Sequence, residues 1–138
     1  MTFVDTGFLF ALISTRDEHH ERVVEVFRTF KGLSLADTLL TTNHVVAETI
    51  TLARKIGHQE AATLGESLYA EKLARVHWAT PDEERAAFDY FRQHRDQTYS
   101  VTDCLSFVVM EKLNIREALA VDSDFTHRFV ALPGPKRR

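Results

Sequence analysis

A single cysteine stands among the 138 residues, so no internal disulfide and no multi-thiolate zinc site can form. Five glycines and three prolines are too few for a linker or a low-complexity tract, and no internal repeat is present. No apolar run approaches the roughly 18 residues of a membrane span. Nor does a basic segment precede an apolar run near Met1, as in a secretory signal. These absences predict a cytoplasmic, unanchored protein. Positive charge is scarce as well. Seventeen Lys and Arg against 20 Asp and Glu leave a net charge of −3, which argues against nucleic-acid binding through a broad basic surface. An enzyme that meets nucleic acid through metal ions held by carboxylates stays open. The remainder, 44% hydrophobic and 27% charged, suits one globular domain that buries about two-thirds of its unfolded surface.

Short apolar runs alternate with longer helical patterns. Phe3-Val4 reads as the end of a strand, broken by Thr6-Gly7. Glu18 to Lys31 is amphipathic, with Val23, Val24, Phe27 and Phe30 on one side. Leu39 to Thr42 reads as a second strand, and Asn43 as the N-cap of a helix to about Ile56, stopped by Gly57. Gln59 to Lys72 is a further helix, and Val76-His77-Trp78 alternates as a strand. Thr80-Pro81-Asp82-Glu83 is a capping box with proline at the first helical position, opening a helix to about Arg95. Ser100 opens another, ending near Asn114; Ala118 to Val121 is a strand ending at Asp122, and Phe129 to Leu132 a last short one. Strands separated by helices need crossover connections, hence a mostly parallel sheet. The predicted class is α/β with helices on both faces, in one domain over residues 1–132. Pro133-Gly134-Pro135-Lys136-Arg137-Arg138 is a short basic tail, read as a solvated end in preference to an RNA contact.

Four acids occupy telling places. Asp5 ends the first strand just before a helix, where an aspartate taken alone reads as a cap or turn residue. Asp122 has the same setting at the end of a later strand, with Ser123 and Asp124 also able to cap the next turn. If both strands are parallel in one sheet, their carboxyl ends share an edge, where open α/β sheets bind ligands. Asp103 follows Ser100 in a capping box at the mouth of an apolar helix, near a positive dipole end that favours the carboxylate. Glu48 lies on a polar stripe with His44, Thr51 and Lys55, which by itself reads as a solvated helix face. Carboxylates without a basic partner repel one another unless a cation compensates. Oxygen-only ligands suit Mg²⁺ or Mn²⁺, and such a site would support two-metal phosphoryl chemistry.

Together Val4-Asp5-Thr6, Val46-Ala47-Glu48, the run Tyr99 to Phe107 and the run Ala120 to Phe125 resemble the PIN domain. More narrowly they resemble the VapC-type toxins of toxin–antitoxin pairs. The resemblance implies a three-layer α/β/α fold around a mostly parallel sheet of about four or five strands. It implies a Mg²⁺- or Mn²⁺-dependent endoribonuclease that cuts tRNA or ribosomal RNA, works as a homodimer and is neutralised by a small VapB-like antitoxin. Asp5, Glu48, Asp103 and Asp122 match the family's acidic quartet, catalytic and metal-holding at once. Asp124 is an extra acid that could share or replace the role of Asp122. Thr6 and Ser100 match hydroxyl positions that orient those carboxylates.

Other signals carry less. None of the seven histidines shows H-E-x-x-H spacing, and His19-His20 sit in a charged run that reads as a solvated helix start. Cys104, inside an apolar helix, reads as a buried inert thiol, and Phe88, Tyr90 and Phe91 read as core. Two further readings stand beside the nuclease: a binding module whose acids only cap helices, and a phosphate-handling receiver-like domain. The receiver wants paired acids after the first strand, and Thr6-Gly7 supplies none.

Overall fold

The runs read as strands assemble into one sheet in the computed structural model, which describes residues 1–137. The strands are β1 (Thr2–Val4), β2 (Leu39–Thr42), β3 (Arg75–His77), β4 (Glu117–Ala120) and β5 (Val130–Pro133). They lie in the order β3-β2-β1-β4-β5, and every neighbouring pair is parallel. Successive side chains point to opposite faces of a strand. All of β1 and β2 are buried, so both faces of the sheet are covered. The cover is α1 (Thr6–Ile13), α2 (His20–Arg28), α3 (Leu35–Thr38), α4 (Asn43–Ala53), α5 (His58–Tyr69), α6 (Pro81–Gln93) and α7 (Val101–Lys112). Both predicted capping boxes form, Thr80 with Glu83 and Ser100 with Asp103. Cys104 is buried as expected, and burial pushes its thiol up to about 11.

Several expectations change. Helix α2 is shorter than the amphipathic run that announced it, and α3, only four residues long, has too few positions to show a period. Thr42 caps α4, not Asn43. It is the last, extended residue of β2, and its Oγ1 accepts the Val45 N–H (3.2 Å). Asn43 is already helical and its Oδ1 accepts the N–H of Ala79 instead (2.9 Å). His19 and His20 are half-buried. His20 Nδ1 lies 2.7 Å from the Ala11 carbonyl oxygen, which ties the start of α2 back to α1. Phe88 and Phe91 are exposed, because the buried side of α6 is turned through Glu83, Ala87 and Tyr90. Pro133, read as the first residue of the tail, closes β5 beside Ala120. An edge strand tolerates a proline there. Arg22 donates to the carbonyls of Pro133 (3.3 Å) and Gly134 (2.7 Å), while Lys136 and Arg137 are exposed.

Glu83 fastens one corner of this arrangement. Its carboxylate is 3% exposed and accepts the Thr80 N–H (2.9 Å), faces His77 Nε2 (2.9 Å) and accepts from Lys112 Nζ (3.0 Å). Burial alone would raise its pKa, but these three partners overcome burial and hold it at about 2, below the ordinary 4.5. A depressed value stabilises the fold above the unfolded pKa and stops doing so as pH falls through the folded one. Glu83→Gln should therefore lower stability at pH 7 by about 3 kcal/mol. The gap to the parent should narrow as pH falls from 4.5 towards 2. Urea unfolding at pH 7 and at pH 3 checks this, and equal midpoints at pH 7 would refute it.

Candidate active site

Parallel register sets the carboxyl ends of β1 and β4 side by side, Phe3 against Ala118 and Val4 against Leu119. Asp5 follows β1 directly, and its N–H donates to the Leu119 carbonyl (3.0 Å), which extends the ladder. Asp122 comes two residues after β4 ends at Ala120. Gly7 allows α1 to close on that exit, since a Cβ there would stand 2.9 Å from Val121 Cγ2. Helix α4, leaving the carboxyl end of β2, carries Glu48, and the first turn of α7 carries Asp103. Phe125 is fully buried, edge-on to Phe107 (5.1 Å between centroids) and stacked on Phe3 (6.2 Å). That anchor holds the loop bearing Asp122 and Asp124.

The acids differ in their hydrogen bonding and electrostatics. Asp5 is 4% exposed yet its side chain makes no capping hydrogen bond to α1. Burial holds its carboxyl well above the usual range, and the charges of Asp103, Asp122 and Glu48 push the same way, against the backbone N–H of Thr6. Asp103 does cap its helix: Ser100 Oγ accepts its N–H and its Oδ2 accepts the Ser100 N–H, each at 3.0 Å. Burial still lifts it to about 6; Asp124 and Asp122 add to the rise while Ser100 opposes it. Asp124 is raised by burial and by Asp122, with His127 opposing. Asp122 Oδ1 accepts the Asp124 N–H (3.0 Å), so the two acids form one turn. Asp5 feels Asp122, and Asp103 feels both Asp122 and Asp124. Glu48 is exposed at the rim of the group, the weakest of the charges that act on Asp5.

Thr6 departs from what the resemblance implied. Its Oγ1 is buried and bonds to nothing, the sole such side-chain atom among the described residues. Its main chain, not its hydroxyl, acts on Asp5. At Ser100 the hydroxyl accepts the Asp103 main-chain N–H, and it is the Ser100 main-chain N–H that donates to the Asp103 carboxylate. Among the described residues, no three His, Cys, Asp or Glu side chains are drawn into a ready-made metal cage. The donors near Asp5 are all oxygen, the chemistry that suits a hard divalent cation, and Asp5, Glu48, Asp103 and Asp122, with Asp124, are the residues that would hold one.

The polar stripe is solvated as read, with Glu48, Thr51 and Lys55 exposed and His44 half-buried, and it also lines an open cleft. His44, Glu48, Thr51 and Lys55 form one wall of a cleft of about 870 Å³, with Thr102 opposite, next to Asp103. His44 Nε2 lies 2.7 Å from Glu84 Oε1, which fixes its ring at one end of the wall. Its i, i+4 spacing to Glu48 was the only signal for it in the sequence.

The chain has relatives among known proteins. The PIN domain family model matches residues 2–128. The chain is 35% identical over 127 residues to the 23S rRNA-specific endonuclease VapC20 of Mycobacterium tuberculosis, covering 91% of this chain and 92% of that one. It is 30% identical over 125 residues to a VapC ribonuclease of Archaeoglobus fulgidus, covering 89% and 78%. The crystal structure of Mycobacterium tuberculosis VapC20, a sarcin-ricin loop cleaving toxin, superposes with a TM-score of 0.82 at 31% identity, covering 92% of this chain and 94% of that chain. The chain belongs to the PIN-domain family, among its VapC ribonucleases.

Proposed function

We propose that this protein is the endoribonuclease toxin of a VapB–VapC-type pair, and that it hydrolyses a ribosomal RNA loop at a Mg²⁺ or Mn²⁺ site. The convergence of Asp5, Glu48, Asp103 and Asp122 on one sheet edge, with Asp5 buried and capping nothing, is the observation that carries this reading. A divalent cation held there would supply a water of lowered pKa and positive charge at the leaving oxygen. The chain's own part is to hold the ligands still. Asp5 is fixed by the β1–β4 ladder, Asp103 by its capping box, and Asp122 by the Asp124 turn. The choice of ribosomal RNA over tRNA follows the relative called 23S rRNA-specific and its solved structure. A synthetic sarcin-ricin-loop hairpin should be cut once Mn²⁺ is added and left intact with EDTA. Cutting that ignores EDTA, in protein free of contaminating nuclease, would sink the metal assignment.

Acids that served only as caps would argue for a bland binding module, and Asp103 on its own satisfies that reading. Asp5 does not. The proposal extends to a cytoplasmic location, a small VapB-like antitoxin and a homodimer; no helix among the described residues is long and apolar enough to cross a membrane. Sedimentation at micromolar concentration should give a dimer, and a clean monomer there would remove that part of the proposal.

A further inference from the structure

The cleft beside the acids sets an electrostatic problem for an RNA-cutting site. RNA is a polyanion, and five carboxylates repel it wherever nothing positive stands between. On the cleft wall, the His44 ring is engaged by Glu84 and the Thr51 hydroxyl donates to the Ala47 carbonyl (3.0 Å). Lys55 lies at the far end, exposed, in the turn that closes α4. It forms no ion pair among the described residues, where the nine pairs found engage other side chains. It stands seven positions after Glu48, about two helical turns on, just past the end of α4 at Ala53. Ala47 and Leu52 give the wall between them an apolar surface, against which ribose and base can lie.

We propose that Lys55 is a positioning residue that takes a phosphodiester further along the RNA strand from the one being cut. The inference rests on the ribonuclease reading and adds to it the direction of the bound strand, along the stripe from Glu48 to Lys55. A cation at the end of a helix also interacts with the helix dipole. That structural role would affect melting temperature but neither the salt dependence of RNA binding nor KM.

The test uses a fluorescein-labelled sarcin-ricin-loop hairpin and the full chain. Binding is measured with Mn²⁺ over a KCl series, in the Asp5→Asn background so that the RNA survives. Lys55→Ala should weaken binding roughly fivefold and lower the slope of log Kd against log salt by about 1. Lys55→Arg should restore both. In protein with Asp5 intact, Lys55→Ala should raise KM and leave kcat within about twofold. An unchanged slope with unchanged KM overturns the assignment of Lys55, as does a fall in kcat alone. Loss of antitoxin binding with RNA binding intact also overturns it, since the wall would then serve a protein. A parent that neither binds nor cuts the hairpin refutes the proposed function itself, a result distinct from all of these.

Discussion

Asp5→Asn should reduce the rate of RNA cleavage by roughly 10³-fold, equivalent to about 4 kcal/mol of transition-state stabilisation. Asp5 is the innermost acid, nearly inaccessible, and the one whose carboxyl is acted on by Asp103, Asp122 and Glu48 together. Asparagine keeps its shape and can still accept from the Thr6 N–H, so the backbone of the β1–α1 corner should survive. What disappears is the negative charge that would hold a cation at the centre of the group. Asp103→Asn should act in the same way, because an amide can preserve the cap to Ser100 while the charge is lost. Glu48→Gln should cost less, since Glu48 sits exposed at the rim and exerts the weakest charge on Asp5. Initial rates on one RNA with parent and variants decide the matter. Cleavage by Asp5→Asn within tenfold of the parent would remove Asp5 from the site, and with it the reading of the sheet edge as catalytic.

What was legible in the sequence was whatever local geometry determines. The two capping boxes were readable because each closes within four residues, and Gly7 and the ends of β1 and β4 were marked by sharp changes in pattern. Alternation of strand and helix sufficed for a parallel sheet, and hence for bringing Asp5 and Asp122 to one edge. Contacts distant in sequence were not readable. Asn43 serves Ala79, 36 residues away, and a cap is what an isolated Asn ahead of a helix suggests. The stripe of His44 and Glu48 reads as a solvated face, which it is; that the same face lines a cleft with Thr102 and that His44 meets Glu84 depends on α7 and α6, distant in sequence. Phe88 and Phe91 failed for the opposite reason. Their apolar character suggests core, but the interior side of α6 was already taken by Ala87 and Glu83, the latter a charged residue that its three partners make burial-tolerant. At Thr6 the hydroxyl that was expected to orient a carboxylate is buried without a hydrogen-bond partner.

The same crowding makes stability report on the site without any RNA. Asp5 and Asp103 have raised pKa values, so each contributes to stability below the ordinary carboxylate range. That contribution is lost as pH rises through the folded value, about 6 for Asp103. At pH 7 in EDTA both are therefore a burden on the fold. Asp103→Asn should leave the protein as stable as the parent or more so, since the cap is kept and the repulsion removed. Under a purely capping role the same change would be neutral at every pH, and Asp103→Ala would lower stability by removing the acceptor of the Ser100 N–H. Mn²⁺ at about 100 times its Kd should add roughly 2.7 kcal/mol to the parent, which corresponds to a melting temperature higher by about 8 °C for a chain of this size. Asp5→Asn and Asp103→Asn should lose most of that rise, because each removes charge from the set that holds the ion. Calorimetry of the three proteins at pH 7, with EDTA and then with Mn²⁺, measures every one of these differences. Equal metal-induced shifts in parent and variants would place the ion away from these acids, and a parent indifferent to Mn²⁺ would count against a metal site formed by the free protein.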